Sequence, residues 1–161
     1  ITYIGTDNGF VYLTSVMDLF SRRILAWTLS RTLEAKYVVE TIQKAIGERN
    51  GVRPRIFHND RGCQYVSQEF LNATREMTNS YSKKGYPWDN ACIESFHALI
   101  KREWLRRFKI RNYEEAYRYV FEYINTFYNT IRIHSHCGYL SPDQYEKKYL
   151  DHMVKAEQKL A

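Results

Sequence analysis

The pattern of apolar and polar positions predicts strands first and helices later along this chain. In its first third, residues 1–4, 10–18 and 24–29 are predicted to form strands, and side chains across 10–18 are divided between two faces at the period of two that is typical of β-strands. Short turns separate these three segments, so we expect an antiparallel meander. A short apolar segment after a proline, residues 55–59, predicts a fourth, buried strand, and residues 77–81 predict a weaker fifth one.

Apolar residues spaced three and four apart predict helices in the remaining segments. The first surrounds residues 38–46, and Ser67 is placed to cap a short second helix. A long third helix is predicted over 89–107, a long fourth over 113–132, and a short tail helix begins at Ser141-Pro142.

Each of the two long helices has a predicted buried stripe and an open face. The stripe of the third helix consists of Ile93, Phe96, Ile100 and Trp104. Spacing places Glu94, His97 and Lys101 together on its opposite face, which we expect to be open to solvent. The stripe of the fourth helix consists of Ala116, Val120, Tyr123, Ile124, Phe127 and Ile131.

This order of elements predicts the α/β class and a single domain over residues 1–161. We expect a mixed five-stranded sheet, with three antiparallel strands followed by parallel strands, flanked by helices. Two long helices should follow the sheet, and residues 134–161 should form a C-terminal tail with a short helix.

Composition supports a globular, intracellular chain. It has 161 residues, of which 44% are hydrophobic and 26% charged, and it contains neither an apolar run long enough to span a membrane nor a secretory signal. Three scattered cysteines form no disulfide framework and favour a reducing cytoplasm. Because the chain starts at Ile1 without a methionine, we expect it to be a fragment of a longer protein.

The net charge of +6 is concentrated in the middle of the chain. Residues 101–111 include six basic side chains and one acid, Glu103. Such a run is either a solvated helix face or a surface for phosphates, and its position directly after Glu94 favours phosphate binding.

Two carboxylates are the main candidates for chemistry. Asp60 follows the fourth predicted strand, and Glu94 lies in the first turns of the basic helix. Acids held on separate rigid elements beside many cations suit a divalent-metal site that acts on a nucleic-acid backbone. Alternatively, Asp60 only forms a turn before Arg61-Gly62 and Glu94 is a solvated helix residue. For Asp89, helix capping is the expected role.

The loop between the fifth strand and the long helix combines charge with aromatic rings. Lys83 and Lys84 could bind phosphates, while Trp88 could either stack on a DNA end or pack at the helix start. Other chemistry is disfavoured: the histidines and cysteines lack structural-zinc spacing, and no histidine is placed to activate Cys63.

Taken together, the segments of this chain resemble the integrase core of bacterial insertion-sequence transposases, which are related to retroviral integrases. The matching segments follow the family's order and cover almost the whole chain: Ile1-Thr2-Tyr3-Ile4, Asp18-Leu19-Phe20-Ser21-Arg22, His58-Asn59-Asp60-Arg61-Gly62-Cys63-Gln64-Tyr65, Ser82-Lys83-Lys84-Gly85, Trp88-Asp89-Asn90-Ala91-Cys92-Ile93-Glu94-Ser95-Phe96, Lys101-Arg102-Glu103, Tyr128-Asn129-Thr130-Ile131-Arg132-Ile133-His134 and Leu140-Ser141-Pro142.

The resemblance implies a ribonuclease-H-like fold and an Asp-Asp-Glu site for two Mg²⁺ (or Mn²⁺) ions. Members cut DNA at transposon ends and join the freed 3′-hydroxyl to target DNA, and they act as homo-oligomers. By position, Asp60 matches the second acid, Glu94 the third, and Lys101 a basic position facing DNA. The expected DNA-binding residues are Lys83, Lys84, Asn90, Lys101, Arg102 and Arg106.

Two departures from the family pattern concern the acids. The family's first acid directly precedes the residue that is here Ile1, so we expect it to be absent from this chain. Asp18 is the nearest substitute, but we expect it to pair with Arg22 or Arg23 instead. The gap between Asp60 and Glu94 is 94 − 60 − 1 = 33 residues, which is about two shorter than the resemblance implies, and the shortening falls within residues 72–79.

Two other functions remain open at this stage. The chain could be a non-catalytic DNA-binding or multimerising fragment of a transposase. It could also be a stand-alone nuclease on the same fold, such as a junction resolvase, although the match through residues 128–134 and Ser141-Pro142 disfavours that function.

Overall fold

The computed structural model of the chain describes residues 1–83 and 86–160. Its five strands are β1 (Thr2–Thr6), β2 (Gly9–Met17), β3 (Ile24–Ser30), β4 (Ile56–Asn59) and β5 (Thr78–Tyr81). The first three pair as an antiparallel meander, and β4 pairs with β5 in parallel. The predicted five strands, antiparallel and then parallel, are confirmed. Within the described residues, hydrogen bonds join them as a group of three and a group of two.

Five helices surround the strands, in the predicted order. They are α1 (Ala35–Glu48), α2 (Gln68–Ala73), α3 (Ala91–Glu103), α4 (Tyr113–Phe121) and α5 (Pro142–Leu160). The predicted cap of α2 is confirmed, since the Ser67 hydroxyl accepts the backbone N–H of Phe70 at 3.2 Å. Single 3₁₀ turns cover Cys63–Val66, Pro87–Asn90, Leu105–Arg107 and Ser135–Cys137.

Two apolar clusters hold the layers together. The larger one joins β1, β2 and β3 to α3 and α4. Phe96 and Ile100 are fully buried there and Ile93 and Trp104 pack against them, so the predicted stripe of α3 is confirmed. The smaller cluster joins α1 and α2, with Phe57 of β4 packed against it.

Several predicted boundaries and burials were wrong. The long third helix ends at Glu103 rather than residue 107, because Trp104 leaves helical geometry (φ −130°, ψ −66°). Strand β4 is not fully buried: Ile56, at its start, is 60% exposed, and only Asn59 is buried. Short apolar runs do not distinguish a buried strand from one that is only partly covered.

Helix α4 continues into a π-helical segment, Glu122–Tyr128. The wider π-turn rotates the following residues relative to α-helical spacing. As a result Tyr128 is buried, whereas Ile131, predicted to be buried, is 64% exposed. The same rotation directs Asn129 at β3. Its amide accepts the N–H of Ile24 and donates to the carbonyl of Ile24, both at 3.0 Å.

Helix α5 has 19 residues, so the predicted short tail helix was wrong. Its first turns are tied to the rest of the chain through Arg49, at the end of α1. The Arg49 guanidinium pairs with Glu146 of α5 and with Asp18, whose Oδ2 lies 2.8 Å away. Asp18 is therefore a structural residue, as expected, but its partner is Arg49 and not Arg22 or Arg23.

A further observation concerns membranes: among the described helices, none combines the length and apolar character that a transmembrane span requires.

Candidate functional site

The end of β4 is a tight turn that fixes the Asp60 carboxylate. Asn59 accepts the N–H of Arg61 at 3.1 Å, and Oδ1 of Asp60 accepts the N–H of Gly62 at 3.0 Å. A Cβ atom on Gly62 would lie 3.3 Å from Oδ1 of Asp60, so the glycine leaves room beside the carboxylate. Asp60 thus does form a turn, and it also remains exposed to solvent.

Glu94 lies exposed in the first turn of α3. The turn before the helix is closed by Asp89, whose Oδ2 accepts the backbone N–H of Lys83 at 2.9 Å. The predicted capping role of Asp89 was therefore wrong: Asn90 holds the N-cap position and makes no side-chain cap bond. The Asp89 carboxylate accepts a hydrogen bond from Lys83, six residues earlier, instead of from a backbone N–H of the first helical turn.

The predicted open face of α3 is only partly open. Glu94 is exposed and Lys101 half-buried, but His97 between them is 9% exposed, and its Nε2 has no hydrogen-bond partner among the described residues. Burial lowers the pKa of His97 to about 3, and the Ile1 amine and Lys101 act in the same direction. Burial, with a contribution from Arg106, also lowers the pKa of Lys101.

The nitrogen of Ile1 interacts electrostatically with one residue on each candidate element. Burial lowers the pKa of this amine while the Asp60 carboxylate raises it, and the amine contributes to the lowered pKa of His97. His97 lies one helical turn after Glu94 on α3. That Asp60 and Glu94 hold the same cation remains a prediction.

The carboxylate oxygens of Asp60 and Glu94 are the type of ligand that a hard cation prefers. Across residues 1–83 and 86–160, neither Asp60 nor Glu94 belongs to an ion pair. The carboxylate oxygens are hence available as ligands. The described residues contain no cluster of three or more His, Cys, Asp or Glu side chains able to hold a metal ion, so the two acids alone do not make a complete site.

The predicted DNA-binding residues lie on the loop and turn before α3, on α3 itself and, for Arg106, on the 3₁₀ turn after it. Lys83, Arg102 and Arg106 are exposed, whereas Asn90 and Lys101 are half-buried. Lys84 lies outside the described residues. The ammonium of Lys83 lies 5.6 Å from the centroid of the Tyr86 ring.

Trp88 stands out in the same loop, because it is 79% exposed, the highest value among the exposed large hydrophobic side chains of the described residues. Packing of this ring at the start of α3, one of its two predicted roles, is therefore wrong.

Sequence reasoning missed two side chains beside Asp60. His58 contacts the hydroxyls of Ser80 and Ser82 at 2.9 and 3.0 Å and so holds β4 to the start of the loop. Arg61 lies over the Tyr81 ring. Strand alternation places His58 and Ser80 on one face, and that pattern could have indicated the first contact.

Comparisons with known proteins agree with this architecture. Residues 1–87 match one family model described as "Integrase core domain", and residues 75–142 match a second with the same description. The chain is similar to the transposase of insertion sequence IS904 from Lactococcus lactis, with 38% identity over 91% of this chain and 59% of that protein. It is also 40% identical to transposase InsF of IS3A from Escherichia coli K12, over 93% of this chain and 53% of that protein.

Among solved structures, the chain is similar to the HTLV-2 integrase catalytic core in complex with magnesium. The TM-score is 0.64 at 15% identity, covering 89% of this chain and 90% of that one, which confirms the predicted ribonuclease-H-like fold. The chain spans about half the length of the curated relatives it matches. On the family models and this shared fold, the chain belongs to the integrase core domain family.

Proposed function

We propose that this chain is the catalytic core of a DNA transposase, a polynucleotidyl transferase that cuts DNA and joins the freed 3′-hydroxyl to a target. Residues 1–161 form its single core domain. The observation that carries the proposal is a pair of exposed carboxylates that make no ion pair within the described residues, Asp60 directly after β4 and Glu94 in the first turn of α3. The relatives that share 38–40% of its residues are transposases of insertion sequences.

Asp60 and Glu94 are the proposed ligands for Mg²⁺ (or Mn²⁺), with two ions in the complete site. Their fit is supported by exposed carboxylates that no basic side chain of the described residues pairs with, and by the space that Gly62 leaves beside Asp60. An aspartate joined to the Ile1 nitrogen in a longer chain would supply the third carboxylate. Bound divalent cations would activate a water or 3′-hydroxyl and stabilise the leaving oxygen.

The residues around the acids are proposed to hold the DNA backbone. Lys83 and Asn90 lie on the loop and turn before α3, Lys101 and Arg102 follow Glu94 on α3, and Arg106 lies on the 3₁₀ turn after that helix. Lys84 belongs to the same proposed set by sequence. These groups position phosphates near Asp60 and Glu94, which converts binding energy into orientation of the reacting bond.

We also propose that the chain forms a homo-oligomer and acts in the bacterial cytoplasm. The HTLV-2 integrase core was solved in trimeric and dimeric forms. In this chain, Tyr117 and Phe121 lie one turn apart on α4 and are 46% and 45% exposed. A second copy is the proposed occupant of this stripe, because a two-fold pairing of α4 with its counterpart would cover the same exposed rings on both copies.

The direct test restores the third carboxylate. Two versions of the chain are extended by one residue before Ile1, one with aspartate and one with alanine. In Mg²⁺ or Mn²⁺, the aspartate version should nick plasmid DNA and join a labelled duplex to it. The alanine version should lose activity by about 10³-fold or more, since one metal-binding carboxylate is absent.

Glu94→Gln in the aspartate version should have the same effect, because the amide removes a charge but little volume. Glu69→Gln, which changes an exposed acid in the first turn of α2, is the matched control and should leave activity unchanged. Full activity of Glu94→Gln would contradict the proposed mechanism. DNA binding without cleavage by every version would favour a non-catalytic fragment.

A further inference from the structure

Arg61 occupies a backbone position that favours a different residue type. Its φ is +60°, in the left-handed region, where side chains other than glycine, asparagine and aspartate are strained. Gly62, the next residue, has φ −53°, a backbone conformation that any residue type can adopt. The chain therefore carries a long cationic side chain at the strained position of the turn and a glycine at the relaxed one.

The Arg61 side chain is exposed but held in place. Its guanidinium carbon lies 5.1 Å from the centroid of the Tyr81 ring, an arrangement in which the ring face attracts the cation. Tyr81 ends β5 and pairs with Asn59 in the parallel ladder. The ring thus belongs to the neighbouring strand and restricts where the guanidinium can lie.

Arg61 also lacks an acidic partner. Over the described part of the chain, no carboxylate lies within ion-pairing distance of its guanidinium, although Arg49, Arg53 and Arg132 are all paired. The carboxylate next to it, Asp60, is turned towards the N–H of Gly62. A fixed guanidinium with unpaired N–H donors matches the geometry of a phosphate group.

We propose that Arg61 is a phosphate-binding residue for DNA and that Tyr81 is the platform that orients it. The proposal rests on the proposed DNA function and adds a contact to the DNA backbone at the end of β4, on a different element from the basic residues of α3. Binding explains why a strained arginine stands where glycine or asparagine would relax the turn.

The test measures DNA binding without metal, so that it does not depend on cleavage. Anisotropy of a labelled duplex is followed in EDTA from about 50 to 200 mM salt. Arg61→Asn should weaken binding about tenfold at the lowest salt and reduce the slope of log K against log salt by about 0.9. Its thermal midpoint should equal or exceed that of the wild type, because asparagine tolerates positive φ.

Arg53→Asn is the matched control. It removes the same charge at the opposite end of β4, where Glu76 neutralises Arg53 at 2.7 Å, and it should leave the slope unchanged. Tyr81→Leu should weaken binding less than Arg61→Asn does, and the double variant should bind like Arg61→Asn alone, since the ring acts through the guanidinium.

An unchanged salt slope in Arg61→Asn would overturn this inference and leave the proposed function standing. A lowered thermal midpoint with unchanged affinity would also overturn it, because Arg61 would then serve the fold. Failure of the wild-type chain to bind DNA at any salt concentration would overturn both proposals.

Discussion

Single side chains in this molecule join separate segments at the places where strands begin or end. Asn129 satisfies both backbone groups of Ile24 at the start of β3, and the half-buried His58 joins β4 to the hydroxyls of two serines. Removal of a buried amide such as Asn129 is costly, because it leaves its hydrogen-bond partners unsatisfied.

Asn129→Ala should lower the free energy of unfolding by about 2–4 kcal/mol, because two buried backbone groups of Ile24 lose their partners. Urea denaturation measures this change. Asn125→Ala is the matched control: Asn125 is exposed and accepts only the indole N–H of Trp27 at 3.1 Å, so it should cost less than about 1 kcal/mol. Equal effects of the two substitutions would contradict the role of the Asn129 amide.

His97 makes stability depend on pH. Its pKa in the folded chain is about 3 because the ring is buried, below the ordinary value of about 6.5. Protonation therefore favours the unfolded chain, so this contribution is complete above about pH 6.5 and is lost as the pH falls towards 3. Between pH 6.5 and 5 the loss should be about 2 kcal/mol.

Urea titrations at both pH values measure the free energy of unfolding of the wild type and of His97→Asn. The difference between the pH dependences of the two proteins gives the contribution of His97. His152→Asn changes an exposed histidine of α5 and should reproduce the wild-type pH dependence. A pH dependence that is identical in wild type and His97→Asn would show that burial of the ring has no such effect.

At the scale of elements, the spacing of apolar residues predicted the helices that bury an apolar stripe. It did not predict helical segments whose side chains are all exposed. The stripe Ile93–Phe96–Ile100 located α3 correctly because those side chains enter the main cluster. The outer part of α5 was missed because residues 147–156 are exposed, and periodicity reports burial rather than helix formation. The π-segment of α4 is a shift in hydrogen bonding that no spacing of apolar residues reveals.

In the candidate site, too, some features could be predicted from the sequence and others could not. Asp60 and Glu94 were predicted from residue type and resemblance, and their pairing as metal ligands remains a prediction. The burial of His97 and the Asp89–Lys83 contact were not predicted, because both depend on which distant segment approaches the helix start. The Arg61–Tyr81 contact depends on the pairing of β4 with β5, which follows from the fold and not from local sequence.

Helix α5 is expected to contribute stability only through its first turns. Deleting residues 151–161 should change the free energy of unfolding by less than about 0.5 kcal/mol, since the side chains of residues 151–156 are exposed and exposed side chains contribute little. Glu146→Gln should cost about 1–3 kcal/mol, because Glu146 is tied to Arg49 and to the Ser21 hydroxyl at 2.6 Å. Urea denaturation compares both variants, and a larger loss from the deletion would contradict this division of the helix.

At the scale of the whole molecule, the candidate acids and exposed basic side chains lie on the end of β4, on α3 and on the segment before α3. Asp60 follows β4, Glu94 lies in the first turn of α3, and Lys83 and Arg102 are exposed before and along that helix. The net charge of +6 favours nucleic acid as a partner in general. The proposed chemistry, however, requires that Asp60 and Glu94 bind the same cations.

Calorimetric titration of Mn²⁺ tests that requirement most directly. The chain carrying one added aspartate before Ile1 should bind Mn²⁺ and lose about tenfold or more in affinity with either Asp60→Asn or Glu94→Gln. The double variant should bind no more weakly than the weaker single one, because the two acids share one site. Unchanged Mn²⁺ affinity in both single variants would contradict a metal centre built from the end of β4 and the first turn of α3.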